Sequence, residues 1–288
     1  MSSQVILVTG ANSGIGKAAA EGLAAQGAHV VLLCRGAERG EQARADIMKR
    51  TGSKSVDLMT ADLASQASIR QFAREFTQRY PRLDVLINNA GVNTSKQSYT
   101  EEGVDLIFGV NHLAHFLLTQ QLLDTLRASG AGRIVNVASM WARETLDWEH
   151  LHHVREYDHL RAYGFSKLSN LLFTAELARR LQGTGLTVNA CHPGAVRSNL
   201  GRDYKGFLGF GNAIAQYLIP KSARGAEVMV YLATSPDVEG KTGLYFGPKK
   251  VREPMPAFAT DPANGARLWA LSEELTAPGR PRPQHSPG

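Results

Sequence analysis

Tyr163 and Lys167 open an apolar run, Leu168 to Leu181, whose spacing predicts one long helix. Residues four apart lie above one another on a helical face, so this phenol and this ammonium look into the same cleft. That pairing can carry protons. A free tyrosine, with a pKa of about 10, holds its proton too tightly for work at neutral pH, whereas a nearby cation favours the phenolate. At ~4 Å and an effective dielectric of ~20 the attraction is about 4 kcal/mol, or roughly three pKa units. General acid-base chemistry near pH 7 becomes accessible. Taken alone, such a pair is more often a snorkelling couple on a helix surface, so the surrounding elements decide.

Gly132 to Ser139 is a β-type run ending in a hydroxyl, and Val5 to Gly16 reads as strand, glycine loop and helix start. Between them, Asn88-Asn89-Ala90-Gly91 closes the apolar stretch Leu83 to Ile87. In this order the motifs resemble the short-chain dehydrogenase/reductase family from end to end. The long connection from Trp141 to Leu160, followed by Arg161-Ala162-Tyr163-x-x-Ser166-Lys167-Leu168, is similar to the retinol-dehydrogenase-like branch, as is His192-Pro193-Gly194.

The resemblance implies roles for individual residues. Tyr163 exchanges the proton with the substrate oxygen, Lys167 lowers its pKa and holds the cofactor ribose, and Ser139 orients and steadies that oxygen. Asn111, in Val110-Asn111-His112, bends its helix and holds a water on the proton path. Asn12, Ser13 and Ile15 fall among the cofactor-binding positions, Asp62 and Leu63 lie beside the adenine ring, and Asn89, Ala90 and Gly91 permit close backbone approach. Pro193, Gly194, Val196 and Ser198 belong to the nicotinamide end, with Ser198 standing where many relatives have threonine.

The spacing Gly10-x-x-x-Gly14-x-Gly16 differs from G-x-G-x-x-G but serves the same ends by analogy. Gly10 allows the tight turn, Gly14 lets amides approach a pyrophosphate, and Gly16 allows close helix-strand packing, while the helix start supplies an anion site. The second strand ends at Arg35, where NAD-preferring relatives would carry a carboxylate for the ribose hydroxyls. A guanidinium there suits a 2′-phosphate instead. NADP is therefore the expected cofactor, with Arg39 as a helper.

The periodicity predicts strands over 4–9, 29–34, 55–60, 83–87, 133–137, 186–191 and 242–246, and helices over 14–26, 38–50, 66–79, 100–128, 163–181 and 222–234. This alternation implies a doubly wound, Rossmann-like α/β fold of three layers, with a mostly parallel seven-stranded sheet. The expected organisation is a single domain over residues 1–277, including a substrate lid at about 195–222, then a disordered proline-rich tail over 278–288. Leu200, Tyr204, Phe207, Phe210 and Tyr217 make the lid apolar and aromatic, which points to a lipophilic substrate or to membrane contact.

Composition removes other classes. The chain has 288 residues, 43% of them hydrophobic, and no apolar run reaches the roughly 18 residues that span a bilayer. The start, Met-Ser-Ser-Gln, leads straight into the first strand, so a cytoplasmic protein without a signal peptide or integral membrane segment is expected. The charge of +6 is scattered and lacks an aromatic-basic stripe, which argues against nucleic acid. Cys34 and Cys191 end apolar runs and read as small buried hydrophobes rather than a disulfide. His112 and His115 lack a third ligand, and His150, His152, His153 and His159 read as a solvated loop, so no metal is expected.

The expected activity is reversible hydride transfer between NADP and a lipophilic alcohol or carbonyl compound, resembling a retinoid, steroid, aldehyde or ketone. Carbonyl reduction and alcohol oxidation both remain open as the direction. The alternatives are a non-catalytic NADPH-binding sensor or scaffold, and other chemistry on this fold, such as light-driven tetrapyrrole reduction of the protochlorophyllide type. A homodimer also stays open, since the family often pairs through its fourth and fifth helices.

Overall fold

The computed structural model describes residues 3–149, 151, 157–194 and 222–279. Its strands are β1 (Val5–Thr9), β2 (His29–Cys34), β3 (Val56–Thr60), β4 (Val85–Asn88), β5 (Arg133–Val137), β6 (Thr187–Cys191), β7 (Tyr245–Phe246) and β8 (Arg252–Glu253). They form one sheet in the order β3-β2-β1-β4-β5-β6-β7-β8. The seven expected strands are all present and parallel. An eighth, β8, adds antiparallel to β7 over two residue pairs, Tyr245 with Glu253 and Phe246 with Arg252. Two residues are too few to leave a periodic signal, and the last predicted strand, 242–246, is a strand only over Tyr245–Phe246.

Both sheet faces are covered, so the central strands carry apolar residues on both faces rather than at alternate positions only, as in Val5–Val8 and Val85–Ile87. Ile6 and Val8 enter the core beneath α1 (Gly14–Ala25), α2 (Ala37–Thr51) and α7 (Ser222–Thr234). Leu7 points the other way, toward α3 (Gln66–Arg79), α5 (Ala114–Arg127) and α6 (His159–Arg180). These are the three layers the sequence implies. Strand order reverses at β1 and β4, and a doubly wound sheet opens its binding crevice at such a switch point, outside the carboxyl ends of the strands.

One predicted helix is broken into parts. Over about 100–128 the structure places a bridge between Tyr99 and Asp105, a single turn α4 (Leu106–Phe108), a π-helical turn Gly109–Leu113, and only then α5. Asp105 caps α4 by accepting from the Ile107 and Phe108 amides. The wide turn falls where the Asn111 side chain is held from outside the helix. Its Oδ1 accepts from the Val92 amide at 2.7 Å, and its Nδ2 donates to the Val92 carbonyl and to Ser166 Oγ at 3.0 Å each. Single π turns of this kind concentrate at functional sites.

Helix α6 starts four residues before Tyr163, with Asp158 capping it through the Leu160 and Arg161 amides. After β8 come the short α8 (Ala257–Thr260) and α9 (Pro262–Leu275), which lies across α6. Cys34 and Cys191 are both free and buried. Burial pushes their thiols up to about 11 and about 12, so neither is a ready nucleophile. No helix among the described residues is long and apolar enough to cross a membrane. Residues 195–221 of the expected lid, with Val196 and Ser198, lie outside the described residues, as do His150, His152, His153 and positions 280–288 of the tail.

Candidate active site

A cleft of about 490 Å³ opens at the switch point. One wall carries the glycine loop, Gly10 with Asn12, Ser13, Gly14, Ile15 and Gly16, and the floor is Asn89, Ala90 and Gly91. Arg35 and Arg39, with Asp62 and Leu63, line one end. Ser139, Tyr163, Lys167, Pro193 and Gly194 also line it. Of the described residues given a catalytic or cofactor-binding role in the sequence, Asn111 alone is absent from the lining. It is wholly buried beneath Gly91, where a built Cβ would come within 3.3 Å of Asn111 Oδ1.

The glycine loop is shaped by what it touches. Gly10 has φ +66°, and a Cβ on it would stand 2.9 Å from Ala90 Cα. A Cβ on Gly16 would overlap Asn89 Nδ2 and the Gly10 carbonyl. Gly14, at φ +58°, faces open space. The first turn of α1 holds no acidic residue and its N-cap, Ser13, makes no side-chain cap, which leaves the first amides for an anion. A narrow backbone cradle, a free helix start and a cleft of this size fit the pyrophosphate and body of a nicotinamide dinucleotide.

Thr9, not singled out in the sequence, ties loop to floor. Its Oγ1 accepts from the Asn89 and Ala90 amides at 2.9 Å each, and its carbonyl accepts from Asn89 Nδ2 at 2.8 Å. Asn89 thus binds central-strand backbone. Asn88 does not: its Nδ2 reaches the side chains of Thr119 and Asn136 at 3.0 and 2.9 Å. The only sequence hint of Thr9 is a hydroxyl on the last strand residue before the glycine.

At the mouth of the cleft, Ser139 hydrogen-bonds the Tyr163 hydroxyl. Burial raises the Tyr163 pKa, and that hydrogen bond pulls the other way. This corrects the electrostatic expectation, in which Lys167 acidifies the phenol. The ammonium lies over the tyrosine ring, 5.6 Å from its centre. It is also desolvated: Lys167 is 3% exposed, and burial lowers its pKa to about 8. Its Nζ donates to the Val137 carbonyl at 3.0 Å. Asn170, one turn further along α6, donates to the same carbonyl at 3.3 Å. A Tyr-x-x-x-Lys spacing fixes a shared face but says nothing of burial, and here burial dominates.

His112 and His115 are buried and approach different partners. His112 Nε2 meets Ser272 Oγ at 2.9 Å, and His115 Nε2 meets Thr9 Oγ1 at 3.1 Å. Among the described residues no group of three or more histidines, cysteines or carboxylates is placed to hold a metal ion.

Known proteins place this geometry. The family model for short chain dehydrogenases matches residues 4–209. Retinol dehydrogenase 14 of Mus musculus is 43% identical over 289 residues, spanning 96% of this chain and 86% of that protein. A crystal structure of a Mycobacterium paratuberculosis protein superposes with a TM-score of 0.75 at 35% identity, covering 95% of this chain and 93% of the other. A Shigella flexneri structure, titled as a short chain dehydrogenase complexed with NADP, superposes with a TM-score of 0.68 at 28% identity, covering 85% and 97%. Because the likeness runs through both the motifs and the sheet that carries them, the chain belongs to the short-chain dehydrogenase/reductase family, in its retinol-dehydrogenase-like branch.

Proposed function

We propose that the protein is an NADP(H)-dependent oxidoreductase acting reversibly between a lipophilic alcohol and the corresponding carbonyl compound. The observation that carries this reading is the meeting of the Ser139 and Tyr163 hydroxyls, with Lys167 behind them, in the same cleft as the glycine loop. When bound, the nicotinamide supplies or accepts the hydride. Tyr163 Oη gives the proton to the substrate oxygen or takes it away. Ser139 Oγ donates to that oxygen and steadies its charge. Lys167 supplies a cation held beneath the ring, and Asn111 sits on the inner side of Gly91 in reach of the proton path.

Two observations support the finer parts of the reading. Arg35, just after β2, and Arg39, in the first turn of α2, both border the cleft where a 2′-phosphate needs a guanidinium, and one solved relative is a complex with NADP. The relative named retinol dehydrogenase 14 speaks for an apolar substrate, as do the exposed Met140 and Trp141 immediately after Ser139. A panel of retinoids, steroids, aliphatic aldehydes and aromatic ketones, run with NADPH and NADH side by side, tests the proposal. Turnover of an apolar member with NADPH preferred is the expected result. Consumption of neither nucleotide would refute the enzymatic reading, and a clear NADH preference would refute the role given to Arg35.

A further inference from the structure

His115 lies on α5 four residues after Asn111, wholly buried, and the reaction described above gives it no part. Its Nδ1 is 3.1 Å from the Asn111 carbonyl, and its Nε2 is 3.1 Å from Thr9 Oγ1. A carbonyl only accepts, so Nδ1 carries the ring hydrogen, and in the neutral ring Nε2 then takes the hydrogen of the Thr9 hydroxyl. The other acceptor open to that hydroxyl, the Ile87 carbonyl, is farther away at 3.3 Å. Burial first, and the charge of Lys167 second, bring the His115 pKa down to about 4 and keep the ring neutral.

Each end of this bridge holds part of the cleft. Thr9 Oγ1, its hydrogen directed to the ring, uses its lone pairs for the Asn89 and Ala90 amides of the floor. Asn111 grips Val92 on both backbone groups and donates to Ser166 Oγ, which in turn donates to the Tyr163 carbonyl at 2.8 Å. One unbroken set of hydrogen bonds therefore joins the cofactor floor to the helical turn that carries the tyrosine.

We propose that His115 is a positioning residue: by donating from Nδ1 to the Asn111 carbonyl it fixes the π turn, and so sets Asn111 and Tyr163 at a constant distance from the loop Asn89–Gly91. The inference rests on the roles given to Asn111 and Tyr163 in the proposed reaction. It separates His115 from a plain core histidine because its two nitrogens are not equivalent for turnover: when Nε2 is lost the Thr9 hydroxyl turns to the Ile87 carbonyl at 3.3 Å, whereas loss of Nδ1 frees the turn that carries Asn111.

Asparagine and glutamine distinguish the two nitrogens, since an asparagine amide reaches the place of Nδ1 and a glutamine amide that of Nε2. The variants His115→Asn, His115→Gln and His115→Leu are compared with wild type for kcat and KM on a carbonyl substrate and for NADPH affinity by fluorescence titration. The expected result is a kcat within about twofold for His115→Asn and lower by about ten- to a hundredfold for the other two, with KM and NADPH affinity nearly constant, because small misplacement of reacting groups costs rate before it costs binding. Three equally impaired variants, three unimpaired ones, or a glutamine variant better than the asparagine variant would each overturn the inference. A wild-type protein inactive on every carbonyl tested would instead overturn the proposed reaction and this inference with it, whereas an active wild type with an undiminished His115→Gln overturns the inference alone.

Discussion

Lys167 Nζ donates to the main-chain oxygen of Val137 at 3.0 Å, which suspends the cation from the strand that delivers Ser139 two residues later. The ammonium is therefore oriented by β5, not by the tyrosine whose face it shares. Being buried among α6, β5 and the end of β6, it lies in surroundings that favour the neutral amine, hence a pKa near 8 instead of 10.5.

That burial predicts an unusual stability profile. Below pH 8 lysine is protonated in both folded and unfolded chains, and the folded protein bears the full cost of an enclosed charge. Between about 8 and 10.5 the unfolded chain alone keeps the proton, so this contribution becomes less unfavourable as pH rises, and above 10.5 it is gone. A shift of this size corresponds to about 3 kcal/mol. Lys167→Met leaves Asn170 on the Val137 carbonyl, so the variant is expected to be inactive yet more stable at pH 7, by up to about 3 kcal/mol. Denaturant melts at pH 7 and pH 10 check it. An advantage that does not shrink at the higher pH would mean that packing, not charge, is responsible.

Tyr163→Phe removes one oxygen from the cleft and leaves the glycine loop untouched. Turnover is expected to fall at least a hundredfold, the lower range of what a positioned acid-base group contributes, while NADPH still binds within a few-fold of wild type. Steady-state rates beside a fluorescence titration separate the two. Activity close to wild type would take the phenol out of the mechanism.

The parts of this site that could be read from the chain are those set by neighbours in sequence. Gly10, Gly14 and Gly16 mark a turn between a strand and a helix, Ser139 ends an apolar run, and Tyr163 and Lys167 share a face through helical geometry alone. What stayed hidden depends on distant partners. Thr9 meets His115 across 106 positions, and Asn111 meets Ser166 across 55. The same holds for the π turn at Gly109–Leu113, whose Asn111 is bonded to Val92 and Ser166 outside the helix, and for the two-residue strand β8. The electrostatics of Tyr163 escape the sequence for a related reason: a spacing of four gives proximity, but only the fold reveals how dry the surroundings are.

Arg35 stands exposed at the end of β2 beside the cleft, with Arg39 one turn into α2. Removing a guanidinium that pairs with a phosphate costs about 1.5–3 kcal/mol, or roughly ten- to a hundredfold in binding. Arg35→Ala is thus expected to weaken NADPH by that factor and NADH by less than threefold. Isothermal titration with both nucleotides decides the matter. Parallel losses for the two would show that the residue supports the loop rather than reading the 2′ position.

Pairing through α5 and α6, the fourth and fifth helices expected from the sequence, requires an open face, and α9 packs on the corresponding one here. Trp269 packs edge-on against Phe116 at 5.0 Å between ring centres and lies under the Arg180 guanidinium at 4.0 Å, while Ser272 reaches His112 in the α5 segment. Helix α6 is buried at 15 of its 22 residues within a single chain, so little apolar surface is left for a second copy. A stable dimer buries about 800 Å² on each partner, and the packing of α9 on α6 takes up part of the face it would use. The protein is expected to run as a monomer in light scattering at micromolar concentration. Trp269→Ala, which opens a cavity among Phe116, Phe173 and α9, should cost about 3–5 kcal/mol in a denaturant melt. A dimer that survives dilution, together with a Trp269→Ala variant of unchanged stability, would show that α9 does not seal this face and that the two helices remain available for pairing.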